Sequence, residues 1–380
     1  MKDLNEIRNN IDEIDSQLVE LFNRRMELAG EVAAYKAQNN LPITNTGRER
    51  EILTRVAEQS NDGCELYTKL LFSTLFDVSK SYQSRLLNKA GKVSDSIKAA
   101  LESTPKMFPS KAVVACQGVE GAYSQLACDK LFQLPSIMYF NRFDGVFTAV
   151  EKGLCQYGIL PIENSSYGSV GEVYDLMKKH NFYIVRSIRL RVNHTLLAKP
   201  GAKLSEIREI FSHEQAIGQC SEFLKEHPLV KVTVVANTAI AAKKAAADDS
   251  GHSAAISSRN CADLYGLTVL SDEVQNSDNN YTRFICISKE HEIYPGASRI
   301  SLMLTCPHEP GSLYRLLAKF ASAGLNVSKL ESRPIPGKDF EFMFYFDLET
   351  SVYSEDALRV LADLENSLEY CNYLGSYTEV

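Results

Sequence analysis

Apolar side chains recur at Leu4, Ile7, Ile11, Ile14, Leu18, Leu21, Leu28, Val32 and Tyr35, mostly at alternating spacings of three and four. The pattern predicts one long helix with an apolar seam, from about Leu4 to Gln38, stopped by Asn39, Asn40 and Pro42. Such a helix is ~50 Å long, more than two short helices can cover, so a second copy of the chain is the economical cover. Two more helices are expected, from about Gly47 to Gln59 and from about Cys64 to Leu87. Residues 89–110 lose the seam, carry small, charged and proline residues, and predict a linker with one or two helical turns.

From Lys111 strands and helices alternate. AVVAC, YGILPIEN, NFYIVRSIRL, EIFS, KVTVV, AAISS and RFICIS predict strands, and AYSQLACDKLF and VYDLMKKH predict helices, giving an α/β region large enough for two lobes. After Pro295 the order is strand, helix, strand, strand, helix, strand, which is ferredoxin-like α+β.

The seam has one interruption. The position due after Leu21 is Arg25, and Lys36 lies eleven residues on, only about 20° off the same face. On the third helix, Ser79 and Gln83 sit one turn apart in the row Phe72, Phe76, Ser79, Gln83, Leu86. The second helix carries Arg48 and Glu49 just after its start. A buried arginine must meet an anion. That anion is either an internal carboxylate acting as a register device, or a small polyanionic ligand with Ser79 and Gln83 as neutral donors.

Composition narrows the setting. With 380 residues the chain should hold two to four domains, and 44% hydrophobic with 23% charged residues describes a globular protein. A net charge of −7 argues against a nucleic-acid or anionic-membrane surface. No apolar run reaches the ~20 residues that span a bilayer, and the acids near the N-terminus make a signal or transit peptide unexpected. The nine cysteines form no CxxC pair and no zinc spacing. They fit reduced thiols in a cytoplasmic protein without a metal site.

Three polar loops punctuate the α/β region: GVEGAYS (118–124), PIENSSYGS (161–169) and NNYTRF (279–284). The first two stand where a strand gives way to a helix, a place that favours anions. Neither GxGxxG nor a Walker lysine follows any strand, so dinucleotide binding is a poor alternative, and no cofactor is expected.

These motifs carry a resemblance. IRNNIDEIDSQLVELFNRR, the lysine of YKAQ, GRERE and DVSKSYQ resemble the all-helical chorismate mutase family. GVEGAYS, PIENSSYGSV, NHTLL, SHEQAIGQC and YTRF, in that order, resemble prephenate dehydratase. PGSLYRLL and ESRP resemble an ACT regulatory domain. The resemblance implies a mutase domain at 1–90 forming an intertwined helical dimer, a linker at 91–110, and a two-lobed, periplasmic-binding-protein-like dehydratase at 111–290. An ACT domain follows at 298–380. It implies chorismate and prephenate as substrates, L-phenylalanine as feedback effector, and a homodimer or higher homo-oligomer, with no membrane or nucleic-acid partner.

By the same resemblance Arg8, Arg25, Arg48 and Ser79 bind the mutase substrate, with Arg8 borrowed by the neighbouring chain, while Lys36, Gln83 and Glu49 act on it. Arg8 is ~25 Å along the helix from Arg25, so the two cannot share a pocket within one chain. Relatives often carry aspartate where this chain has Asn45. In the dehydratase Thr282 faces the leaving hydroxyl, with Arg283 and Phe284 beside it. Ser124, Asn164, Ser165, Thr195, His213 and Gln215 contact substrate, although His213 can equally be a structural hydrogen-bonding residue. Glu163 is structural or electrostatic, and Glu214, where the family has proline, is assigned nothing. Gly311, Ser312, Leu313, Glu331, Ser332 and Arg333 hold phenylalanine, unless the tail only dimerises. Two alternatives stay open: a dehydratase acting on the aminated analogue arogenate, and a catalytically decayed amino-acid sensor.

Overall fold

The computed structural model describes residues 3–87, 91–335, 337 and 341–380. It divides into two compact units. One comprises Met1–Asp95, Leu304–Asn326 and Tyr353–Cys371, and the other Ser96–Met303, Val327–Val352 and Asn372–Val380.

The first unit is helical. Its long helix runs Leu4–Gln38, followed by Thr46–Glu58 and Glu65–Leu86. Asn40 takes a left-handed backbone (φ 51°) and ends the first helix. Asn45 caps the second by accepting from the Arg48 N–H at 3.0 Å, a role asparagine and aspartate fill equally well. The row packed inward on the first helix is not the large apolar seam. It is Arg25, Met26, Ala29, Ala33 and Lys36, and a Cβ at Gly30 would stand 3.2 Å from Leu86, so the helices approach closely through small residues. The seam itself, from Leu4 to Tyr35, is 41–63% exposed in the single chain. Also in this unit are the helices Ser312–Ser322 and Glu355–Ser367.

The expected linker contains a full helix, Lys92–Ser103, with Ile97 and Ala100 buried. Its apolar positions recur as Val93, Ile97, Ala100 and Leu101, a short stripe that charged neighbours disguise.

The second unit is built on two sheets. The strands of the larger follow the order Asn326–Pro334, Phe342–Glu349, Arg299–Thr305, Cys371–Glu379, Tyr183–Arg191, Tyr281–Ser288, Tyr157–Asn164, Lys111–Gln117, Leu134–Phe140, with Gly168–Ser169 paired to Tyr157–Asn164. The five-stranded sheet is Thr268–Ser271, Thr195–Ala198, Ser253–Ser257, Glu209–Ser212, Lys231–Val234. The chain passes to it after Arg191 and returns before Tyr281, so two crossings join two lobes. Four strands escaped the periodicity: Leu134–Phe140, a sheet edge containing Pro135, the two-residue Gly168–Ser169, and the short Thr195–Ala198 and Thr268–Ser271.

The four C-terminal strands keep the expected ferredoxin-like chain order, but their sheet is continuous with the dehydratase-like one. Thr378 and Glu379 pair in parallel with Arg186 and Ser187. One core cluster holds Phe147, Leu160 and Ile285 together with Met303, Tyr345, Leu374 and Tyr377. Gly375, at φ 139°, lies so close to the neighbouring strand that a Cβ would fall 2.3 Å from the Ile184 carbonyl oxygen. Among the described residues no helix is long and apolar enough to cross a membrane, and all nine cysteines are free.

Gly375→Ala should therefore open the joint between the tail strands and Tyr183–Arg191, costing about 2 kcal/mol or more. Denaturant melts check this. An unchanged midpoint, or a separate transition for the tail strands, would show that the sheet is not one cooperative body.

Candidate functional sites

Arg25 is half-buried, and burial pulls its pKa below the usual arginine value. Its Nη1 donates to the Leu75 carbonyl at 3.2 Å and to the Ser79 hydroxyl, and its guanidinium lies 5.9 Å from the Phe76 ring. All three partners are neutral. Among the described residues no carboxylate forms an ion pair with it, so the internal-salt-bridge alternative finds no support within the chain. One turn from Ser79, Gln83 is buried, and among the described residues its Oε1 has no hydrogen-bond partner. Lys36 is half-buried, its Nζ donating to the Ile43 carbonyl at 2.5 Å. Cations bonded to neutral oxygens make a place where an anionic ligand gains most; the bare Gln83 oxygen is an acceptor, and the side chain serves such a ligand only when its amide turns to present the NH₂.

The remaining helical candidates are distributed differently. Glu49 pairs with Lys80 at 3.3 Å, and Lys80 with Asp77 at 3.1 Å. Arg48 points to solvent, paired with Glu51 at 2.9 Å. Arg8 is exposed on the open seam and is not brought to Arg25. Arg315, behind the Gly311–Leu313 segment, reaches Asp77 at 3.7 Å and Ser312 at 3.0 Å. Gly311 takes the left-handed backbone (φ 82°) that opens its helix.

In the α/β unit the strand ends converge. Thr282 pairs in register with Asn164 and Arg283 with Glu163, after which a bulge sets Phe284 opposite Pro161. The Asn164 side chain is fully engaged. Its Oδ1 accepts from the Ser166 and Tyr167 N–H groups at 2.9 and 3.0 Å, which fixes the amide's orientation. Its Nδ2 then donates to Thr282 Oγ1 at 2.9 Å and to Asn280 Oδ1 at 2.8 Å. Ser165 is a latch, donating to the Asn279 carbonyl at 3.0 Å and accepting from the Tyr281 N–H at 2.9 Å, so its hydroxyl is already committed. Ser124 is buried near the start of its helix, and its neighbour Tyr123 donates to the Asn193 carbonyl at 2.7 Å.

On the other lobe Thr195 is buried and its hydroxyl faces Asp272 at 3.4 Å. His213 caps the helix Glu214–Gln219, its Nδ1 accepting from the Gln215 N–H at 3.4 Å, while burial lowers its pKa and favours the neutral ring that this bond needs. Gln215 is exposed, and its carbonyl accepts at 3.2 Å from Tyr167, which crosses from the PIENSSYGS loop. Gly218 leaves room for it, since a Cβ there would stand 2.3 Å from the Tyr167 hydroxyl. Pattern reading missed Tyr167 as a link between the lobes; the small residue of SHEQAIGQC was the available signal.

Alternation on the strand turns Arg283 away from Thr282. It is buried against Asp347 at 2.6 Å and Glu163 at 3.1 Å, with Glu379 at 4.0 Å. Burial alone would lower its pKa, but Asp347 and Glu163 raise it above the usual value. Phe284 lies in the core. Neither reaches toward Thr282, so the structure gives these two motif neighbours packing and charge-pairing roles. The tail segment joins this cluster. Lys329 meets Glu163 at 3.6 Å, Glu331 accepts from Ser169 at 2.6 Å, and Arg333 holds Asp175 in two bonds of 3.0 and 2.7 Å. Ser332 is exposed.

A helical region that holds a half-buried arginine on neutral partners is thus joined in one chain to a two-lobed α/β region, and the comparisons show which enzyme families the two match. Residues 7–84 match the family chorismate mutase type II, and residues 114–292 match prephenate dehydratase. The bifunctional chorismate mutase/prephenate dehydratase of Escherichia coli (strain K12) is 30% identical over 98% of this chain and 95% of its own length. Arogenate dehydratase/prephenate dehydratase 2 of Arabidopsis thaliana is 38% identical over 70% of this chain and 73% of its own. A crystal structure of prephenate dehydratase from Arthrobacter aurescens, in complex with L-Phe, superposes with a TM-score of 0.65 at 27% identity, covering 70% of this chain and 89% of that one. The chain belongs to the bifunctional chorismate mutase/prephenate dehydratase family.

Asp347→Ala should cost about 3–5 kcal/mol by leaving Arg283 buried with fewer counter-charges, and the double variant with Arg283→Met should cost less than the single one. Urea melts of the three proteins test it. Additive losses would mean that the two side chains do not act as a pair.

Proposed function

We propose that this chain is an enzyme of phenylalanine biosynthesis with two activities. The helical region rearranges chorismate to prephenate, and the α/β region converts prephenate to phenylpyruvate, under feedback inhibition by L-phenylalanine. The observation that carries the reading is the pair of unfinished polar constellations in one chain. Arg25 has only neutral partners beside the open Gln83 oxygen, and Thr282 is held by Asn164.

Chorismate carries two carboxylates and rearranges without a nucleophile or a proton transfer, so the pocket acts by positioning and electrostatics. Arg25 takes one carboxylate and Arg8 of the partner subunit the other. That arrangement is consistent with the exposed seam of the first helix, which a second copy would cover. Lys36 and Gln83 donate to the ether oxygen as its bond to carbon breaks; a half-turn of the Gln83 amide puts its NH₂ where the partnerless oxygen stands. Glu49, held by Lys80, receives the ring hydroxyl.

In the second reaction the electrons of the ring-to-carboxylate C–C bond move into the ring as CO₂ leaves. The C–O bond breaks, and the departing hydroxide takes one proton to leave as water. Asn164 donates to Thr282 Oγ1, so Thr282 keeps its own proton free for the leaving hydroxyl. Hydrogen bonding is the role a threonine's weak acidity permits. On this reading the two lobes would close over this pair as the walls of a periplasmic-binding-protein-like cleft.

The domains are 1–90, 111–290 and an ACT module at 298–380, with 91–110 between. Phenylalanine binds between paired ACT modules through Gly311, Ser312, Leu313, Glu331, Ser332 and Arg333. Support for its action on the dehydratase comes from the bonds of Glu331 to Ser169 and of Arg333 to Asp175. An effector competing for them tugs on the segment that follows Asn164. Arogenate is a second reading for the dehydratase, favoured by the identity to the plant relative.

Arg25→Ala should lower mutase turnover about 10²–10³-fold, and Thr282→Val should lower dehydratase turnover at least about 10²-fold, each leaving the other activity within twofold. Separate assays on chorismate, prephenate and arogenate decide it. Survival of both activities, or their joint loss in either variant, would contradict the assignment.

A further inference from the structure

Asn280 lies two residues before Thr282 and is only 2% exposed. Its Oδ1 is taken, accepting from Asn164 Nδ2 at 2.8 Å. Since the backbone N–H groups of Ser166 and Tyr167 fix the orientation of Asn164, the orientation of Asn280 is fixed in turn. Its Nδ2 is therefore a donor, and among the described residues it has no hydrogen-bond partner. A buried N–H left without an acceptor is a standing cost to the fold. A tighter fold could have turned this donor onto a carbonyl; instead it stays open on a side chain that shares the Asn164 amide with the hydroxyl proposed to meet the substrate.

Resting on the prephenate reading, we propose that Asn280 is a further substrate-binding residue, whose amide N–H donates to the ring carboxylate that departs as CO₂. Asn280 and Thr282 are two residues apart, a rise of ~7 Å on one side of an extended chain. Prephenate carries the carboxylate and the hydroxyl at opposite ends of its ring, so two donors spaced along one segment, Asn280 just before the strand Tyr281–Ser288 and Thr282 within it, can address both leaving groups. The chemistry suits a neutral donor. The carboxylate must shed its charge as the C–C bond breaks, and an ion pair with a cation would hold that charge back. An amide orients the group without stabilising the anion strongly. The nearest arginine on the strand, Arg283, is instead turned to Asp347 and Glu163.

Asn280→Asp separates this role from a structural one, because it keeps the acceptor for Asn164 and replaces only the free N–H. At neutral pH the new carboxylate should repel the substrate's own and lower dehydratase kcat/KM at least about 100-fold. As the pH falls and the introduced carboxylate takes up a proton, its O–H restores a donor, and activity should recover relative to the parent protein. Asn280→Leu, which cannot donate at any pH, should show a loss without recovery. Thermal melts and mutase assays of both variants report whether they are folded. A folded Asn280→Asp variant with parental kcat/KM at neutral pH would overturn the proposal. So would a loss with the same pH profile in both variants. If the parent protein itself made no phenylpyruvate from prephenate, the underlying reading would fail instead.

Discussion

A charge taken out of water must be answered, and two arginines show the two answers available to this chain. Arg283 is answered from within, by Asp347, Glu163 and Glu379. Among the described residues Arg25 is answered only by a carbonyl, a hydroxyl and a ring face. The first is neutralised by the chain itself and works as architecture. The second stays open, which is what the proposed receptor role requires. The same contrast separates Asn164, with every polar atom engaged, from Asn280 and Gln83, each with one atom left over.

The closed cluster ties together parts of the chain that lie far apart in sequence. Glu163 and Arg283 adjoin Asn164 and Thr282, while Asp347, Glu379, Lys329 and Glu331 come from the C-terminal strands. A regulatory tail would ordinarily be pictured as a separate module. Here the strands of the tail extend the same sheet and share a core with the strands that carry Asn164 and Thr282. The proposed feedback would need no long relay, because the segment carrying Glu331 and Arg333 is hydrogen-bonded to Ser169 and Asp175.

Much of this was legible in the amino-acid order because it rests on local periodicity. The first helix ends where its asparagines predict, and the tail's strand–helix alternation follows its apolar pattern. What escaped was set by distant partners. No pattern near Arg283 announces that Asp347 will neutralise it, so a motif neighbour of Thr282 read as a substrate ligand. The helix at Lys92–Ser103 read as linker because its stripe is short. On the first helix the seam and the packed row differ. Large residues suggested the buried face, while Ala29 and Ala33, small enough for close approach, make it within one chain. The latch that Ser165 makes was not legible for a related reason, since a hydroxyl's partners come from distant residues.

The most direct test of two independent sites in one chain is complementation. Arg25→Ala and Thr282→Val proteins are each given chorismate, alone and then mixed, and phenylpyruvate is followed. Separate sites require that neither variant alone makes it at an appreciable rate and that the mixture does, with free prephenate passing between them. Phenylpyruvate from either variant alone at the parental rate, or none from the mixture, would contradict the assignment of the two reactions to these two places.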